Sequence, residues 1–221
     1  MKKFILYLCI ASLCACATTE TIVEEPKEEV REEITSLPEK EIVDSPLATE
    51  SPLNATNIDD YLFLDGVKYV DLRSFNQILS EGAIAGFEVI PFYDVLVWWE
   101  KKDNVLFTMK KGENKDTYIG DVGCFFPNYE ESEEAIEAIF PKDKQIVFMS
   151  TAGVEAAYMI NLLKQLGYDA SKLYNAGTFT NGVGDTIAYM KYPEHKYYIE
   201  PELAYTLEVN FRFGELTPIN E

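Results

Sequence analysis

Residues 145–149 read Gln-Ile-Val-Phe-Met, an apolar run with no polar interruption, and a helical pattern follows over residues 153–166. A strand without alternation is the pattern of one buried on both faces, and such strands sit in parallel sheets covered by helices. The helix presents Ala156, Ala157, Ile160, Leu163 and Leu166 as its buried stripe, and Gly167 supplies its C-cap. Residues 172–174 then begin another strand. A strand, a helix and a second strand within thirty residues restrict this half of the chain to an α/β architecture.

The same logic extends towards the N-terminus. Residues 67–72 alternate as a strand, and Ser74 is placed to cap a short helix through Ser80, ended by Gly82. Residues 87–92 read as another short strand. Residues 94–100 and 105–109 alternate and flank 101–104, a pattern that predicts a β-hairpin. Residues 130–140 form an amphipathic helix with Ala135, Ile136 and Ile139 on one side, acids in its first turn and Pro141 as its stop. Residues 206–213 alternate as a half-buried strand in a C-terminal extension, 183–221.

Nineteen basic residues face 38 acidic ones, a net charge of −19. Phosphate binding needs a basic footprint, so nucleic acid is excluded as an expected partner, and so is adhesion to an anionic membrane through a basic patch. The single histidine, His195, rules out poly-histidine metal sites and reads as a surface residue. No EF-hand spacing is present, and neither metal nor cofactor is expected.

Residues 1–16 carry an address. Lys2 and Lys3 precede a ten-residue apolar stretch, too short for a bilayer core that needs about 20 residues. Leu13-Cys14-Ala15-Cys16 resembles the lipobox of bacterial lipoproteins, which implies cleavage before Cys16 and its lipidation. An ordinary signal peptide cut after Ala15 or Ala17 is the plainer alternative. Residues 17–58 contain no aromatic residue and no glycine, four prolines, and eleven acids against three bases. That composition cannot offset the entropy of ordering, so an acidic disordered tether is expected there. Cys124 would be the one thiol left in a mature lipoprotein.

Blocks within residues 59–182 resemble a rhodanese-like domain. The family carries a strand followed by Asp-Val-Arg-Ser, and Asp71-Leu72-Arg73-Ser74 stands here. The glycine-bounded Gly82-Ala83-Ile84-Ala85-Gly86 leads to Ile90-Pro91, and Leu166-Gly167-Tyr168 precedes the last strand. The resemblance implies a parallel sheet flanked by helices, interrupted by an insertion at about 93–129 and extended by 183–221. It implies that the active loop is Ser150-Thr151-Ala152-Gly153-Val154-Glu155. Where active members have the sulfur-accepting cysteine, this loop has Ser150. Where they often have an anion-binding arginine, it has Glu155. A persulfide needs a thiolate, and a serine hydroxyl without a base cannot replace it. Ser150 therefore reads as a cap for the helix or loop, and Asp71 and Arg73 as scaffold.

The expectation is a membrane-anchored, extracytoplasmic module in the cell envelope, without sulfurtransferase activity, that binds a protein or small molecule of unknown identity. Two alternatives stand beside it: sulfur transfer through Cys124 as a relocated nucleophile, and a purely structural envelope lipoprotein. The insertion is rich in aromatics and either packs over the sheet or offers a recognition surface. If Trp98 and Trp99 lie in a strand, they point to opposite faces.

Overall fold

Val67–Asp71 forms β1, and three residues later the chain enters α1, Phe75–Glu81. A capping box sets this turn: Ser74 Oγ accepts from Gln77 N, and the Gln77 side chain accepts from Ser74 N. Both bonds involve donors that a helix start leaves unpaired. Gly82 closes α1 at φ 80°, and a Cβ there would stand 2.3 Å from Ile199 O, so glycine is required. Then come β2 (Ala83–Ile84), β3 (Glu88–Val89) and a π-helical turn over Phe92–Leu96. Beyond them lie β4 (Val97–Trp98), β5 (Phe107–Lys110) and β6 (Cys124–Pro127). The chain continues through α2 (Ser132–Ile139), β7 (Gln145–Ser150), α3 (Val154–Gln165), β8 (Leu173–Thr178) and β9 (Tyr198–Ile199).

This computed structural model describes residues 33–42, 51–110, 124–182, 187–201 and 216–219. The chain divides into Met1–Glu33 and Ile34–Glu221, and every described residue but Glu33 belongs to the second unit. The signal segment with Cys16 lies outside the described residues, as do the strand expected over 206–213 and the Cys124 side chain.

The protein is a mixed α/β fold around a four-stranded sheet, ordered β3-β1-β7-β8 and parallel throughout. The apolar run divides between the two faces of the sheet. Ile146 and Phe148 join a core with Leu163 of α3, Ile136 of α2, and Phe107 and Phe125 of a three-stranded sheet ordered β4-β5-β6. Val147 and Met149 join a second core with Tyr174, Phe179 and Tyr189. Both faces are covered, which is why this strand needs no polar alternation.

Several expectations give way to the structure. The tether does not run unbroken to 58: Leu53, Ala55 and Ile58 are buried in the second core, and Leu37 joins them. Tyr174 Oη donates to Pro38 O at 3.1 Å, and Lys40 Nζ donates to Ala170 O at 2.7 Å. Isolated apolar side chains hold this segment down, although its average composition is that of a coil.

The expected hairpin is absent. β4 pairs with β5 in parallel, and the antiparallel partner of β5 is β6. The strand expected over 94–100 shrinks to two residues because the π-helical turn occupies Phe92–Leu96. Trp99 thus falls outside the strand, where alternation no longer applies. Trp98 and Trp99 both reach Tyr93, with ring centroids 5.8 and 6.3 Å away. His195 is half-buried between Tyr189 and Tyr198 rather than a plain surface residue. The C-terminal extension adds β9 antiparallel to β2, and Pro218 bridges to Tyr129.

Candidate functional site

Ligands in open parallel sheets gather outside the carboxyl ends of the strands. Here β1, β3 and β7 end together. Leu72 N donates to Met149 O at 2.9 Å, and Ile90 N donates to Asp71 O at 2.9 Å. Beyond these ends lies a cleft of about 290 Å³, formed by Leu72, Arg73, Ser74, Gln77, Pro91, Tyr93, Asp94, Ser150, Thr151 and Glu155.

The expected loop forms one wall. Ser150 is not a cap. It is the last residue of β7, it is fully buried, and its Oγ has no hydrogen-bond partner. The N-cap of α3 is Gly153, in the left-handed region at φ 76°, with no side-chain bond. The loop is fastened from outside instead. Asn175 Nδ2 donates to Gly153 O at 2.9 Å, and Gln77 Nε2 donates to Thr151 Oγ1 at 2.7 Å. Phe179 N donates to Ser150 O at 2.9 Å. Thr178 Oγ1, in register with Ser150 on β8, is also buried without a partner.

Arg73 forms the floor, and its charge is already engaged. Its Nη2 lies 2.6 Å from Asp71 Oδ2 and its Nη1 lies 3.1 Å from Glu81 Oε2. Nη2 also donates to Gly82 O, and the guanidinium lies 3.3 Å over the Phe179 ring centroid. These bonds tie the end of β1 to the end of α1. They also leave the guanidinium little freedom to turn towards an anion.

Glu155 stands in the first turn of α3, and its Oε2 is buried with no partner. Tyr93 faces it. Burial, then the charges of Glu155 and Tyr158, hold the Tyr93 phenol far above its ordinary value, so it stays protonated at neutral pH. Behind Tyr93, Trp99 stacks on its ring and meets Tyr158 edge-on. Of the insertion's described aromatics, Tyr93 thus supplies part of the rim of the cleft, and Phe107 and Phe125 join the core under the sheet. Trp98 is half-buried, with Lys102 Nζ 4.4 Å over its ring, and Trp99 is the more exposed of the pair.

Sequence reasoning placed Ser150, Thr151 and Glu155 at one site, and the structure brings all three to the cleft. Ala152, Gly153 and Val154 complete the same turn into α3. It missed Gln77, Tyr93 and Asp94. A legible signal existed for Gln77, because Ser74-Phe75-Asn76-Gln77 has capping-box spacing. Tyr93 and Asp94 sit at the π-helical turn, which no periodicity announces. Among the described residues, no group of three His, Cys, Asp or Glu side chains could hold a metal ion, and no helix is long and apolar enough to cross a membrane.

The unpartnered hydroxyl has a measurable consequence. Ser150→Ala removes a buried polar group that the fold does not use. Its unfolding free energy in urea is expected to be unchanged or up to about 1 kcal/mol higher. A loss of about 1 kcal/mol or more would show that the hydroxyl bonds within the fold.

Comparison of the chain with protein-family models, curated proteins and solved structures gives no match in any of the three.

Proposed function

We propose that this chain is a lipid-anchored, extracytoplasmic, rhodanese-like binding module without sulfurtransferase activity. The observation that carries the reading is the cleft wall at the carboxyl end of β7. The position expected of a sulfur-accepting cysteine holds Ser150, buried and without a base, and the position expected of an anion clamp holds Glu155. A serine hydroxyl in that setting is not a nucleophile. A carboxylate beside it repels thiosulfate, which the N-terminus of α3 would otherwise favour.

The parallel sheet and the position of the loop are compatible with the family's architecture. Gln77, Asn175 and Phe179 fasten the loop from outside. A preformed cleft suits binding, because little ordering entropy is lost when a ligand enters.

The reaction half of the proposal is tested by the intact mass of the purified full chain before and after thiosulfate. No added sulfur is expected. A gain of one sulfur atom would overturn the reading, and its loss in Cys124→Ala would identify a relocated nucleophile. The anchor rests on Leu13-Cys14-Ala15-Cys16. Cys16→Ser is expected to move the protein from the membrane fraction to the soluble fraction, and unchanged membrane partition would refute lipidation at that residue.

A further inference from the structure

Asn181 and Gly182 follow β8 in irregular backbone, and both are exposed. Of the chain's asparagines, Asn181 is the one followed by glycine. The position lies one hydrogen bond from the cleft wall: Asn181 N donates to Thr151 O at 3.1 Å, next to the bond from Phe179 N to Ser150 O. Beyond that bond, nothing among the described residues holds the dipeptide. Neither the Asn181 side-chain amide nor Gly182 N has a hydrogen-bond partner there.

The other described asparagines lack this combination. Asn54, Asn57, Asn128 and Asn175 have their side-chain amides hydrogen-bonded. Asn76 and Asn161 lie inside α1 and α3, where regular backbone fixes the amide that follows. The Asn104 side chain is unbonded among the described residues, but the buried, β-branched Val105 comes next. Two heavy atoms on that Cβ crowd its amide nitrogen. Glycine has no Cβ, so at Asn181 the following nitrogen is open to the side chain before it and the backbone is free to turn towards it.

We propose that Asn181-Gly182 is a self-modifying site, at which the chain deamidates through a succinimide without an enzyme. The Gly182 backbone nitrogen attacks Asn181 Cγ, and the new C–N bond closes the imide ring. The side-chain nitrogen leaves as ammonia, taking with it the proton that Gly182 N gives up. Water then opens the ring at either carbonyl. One opening leaves aspartate at 181, and the other leaves isoaspartate, with the main chain routed through the former side-chain carbonyl. Water enters and ammonia leaves, so the step needs no oxidant or reductant. The product carries one more negative charge, set beside the Thr151 turn of an already acidic protein. The bonds from Phe179 N and Asn181 N to the loop precede the altered linkage, so the loop stays fastened.

The test is incubation of the full chain in warm, mildly alkaline buffer, followed over days by peptide mapping with mass spectrometry. The first gain of about 1 Da, the exchange of an amide NH2 for OH, is expected in the peptide that holds residues 181–182, and that peptide resolves into two isomers. Gly182→Ala slows the gain about tenfold or more, because a Cβ crowds the attacking nitrogen and narrows the backbone conformations that reach the ring. Asn181→Gln loses it over the same period. No gain in that peptide, an earlier gain at any other asparagine, a single product isomer, or an unchanged rate in Gly182→Ala overturns the proposal. If Gly182→Ala does not fold, a gain that persists in that peptide of Asn181→Gln overturns it.

Discussion

Arg73→Ala is expected to lower the unfolding free energy by about 3–5 kcal/mol, the largest loss of any single polar substitution in the domain. Asp71 and Arg73 are 1% and 2% exposed. Arg73 Nε lies 3.0 and 3.1 Å from the two Asp71 oxygens, and Nη2 lies 2.6 Å from Oδ2. Removing the guanidinium leaves Asp71 buried with only the Arg73 backbone N–H, at 3.0 Å, as a remaining donor among these contacts. It also frees Glu81, unbonds Gly82 O and uncovers the face of Phe179. The pair itself adds little net stability, because desolvating two charges offsets most of their attraction. The penalty comes from breaking it. Arg73→Met should therefore be nearly as damaging as Arg73→Ala, and adding Asp71→Asn to Arg73→Met should recover part of the loss. Urea denaturation with an unchanged m-value checks this. A loss below about 1 kcal/mol for Arg73→Ala would mean that Asp71 finds another donor or water.

The second large effect falls where composition suggests none. Leu53→Ala is expected to cost about 2–5 kcal/mol. Leu53 is 0% exposed and packs with Ile58, Val147 and Tyr189 in the second core. Its truncation leaves a cavity that Pro52 and the hydrogen-bonded turn at Asn54 and Asn57 oppose closing. A substitution in a solvated tether would cost at most about 0.5 kcal/mol, so thermal or urea unfolding separates the two cases. A near-neutral Leu53→Ala would restore the tether as far as 58.

The difference between these two sites explains what the chain reveals of itself. Asp71, Arg73 and Ser74 are legible because strand, pair and cap fall within a few residues, and local chemistry dictates each. The apolar run of β7 and the stripe of α3 are legible because burial on two faces and on one stripe leaves distinct periods. Leu37 and Leu53 bury one side chain at a time from irregular backbone, so neither period appears. A window rich in glutamate and proline then reads as a coil. β4 and β5 fail differently. Alternation announces a strand but carries no information on the direction of its partner, and a four-residue gap invites a hairpin that the return path over 99–106 avoids. At the cleft, the loop positions were legible and their bonding was not. Whether a serine caps a helix or ends a strand depends on the left-handed turn at Gly153, which the two intervening residues, Thr151 and Ala152, do not specify.

The second core is assembled from both ends of the chain. Leu37 and Leu53 arrive first from the ribosome, whereas Tyr189 and Tyr198 arrive nearly last. Tyr189 Oη reaches Asp59 Oδ1 across 130 positions, and Tyr174 Oη reaches Pro38 O across 136. Closing loops of that size is entropically slow, and high contact order places folding in milliseconds to seconds rather than microseconds. One face of the sheet therefore stays uncovered until synthesis is almost complete. A chain that completes one core late keeps that apolar face open to chaperones, and to aggregation, while it is being made.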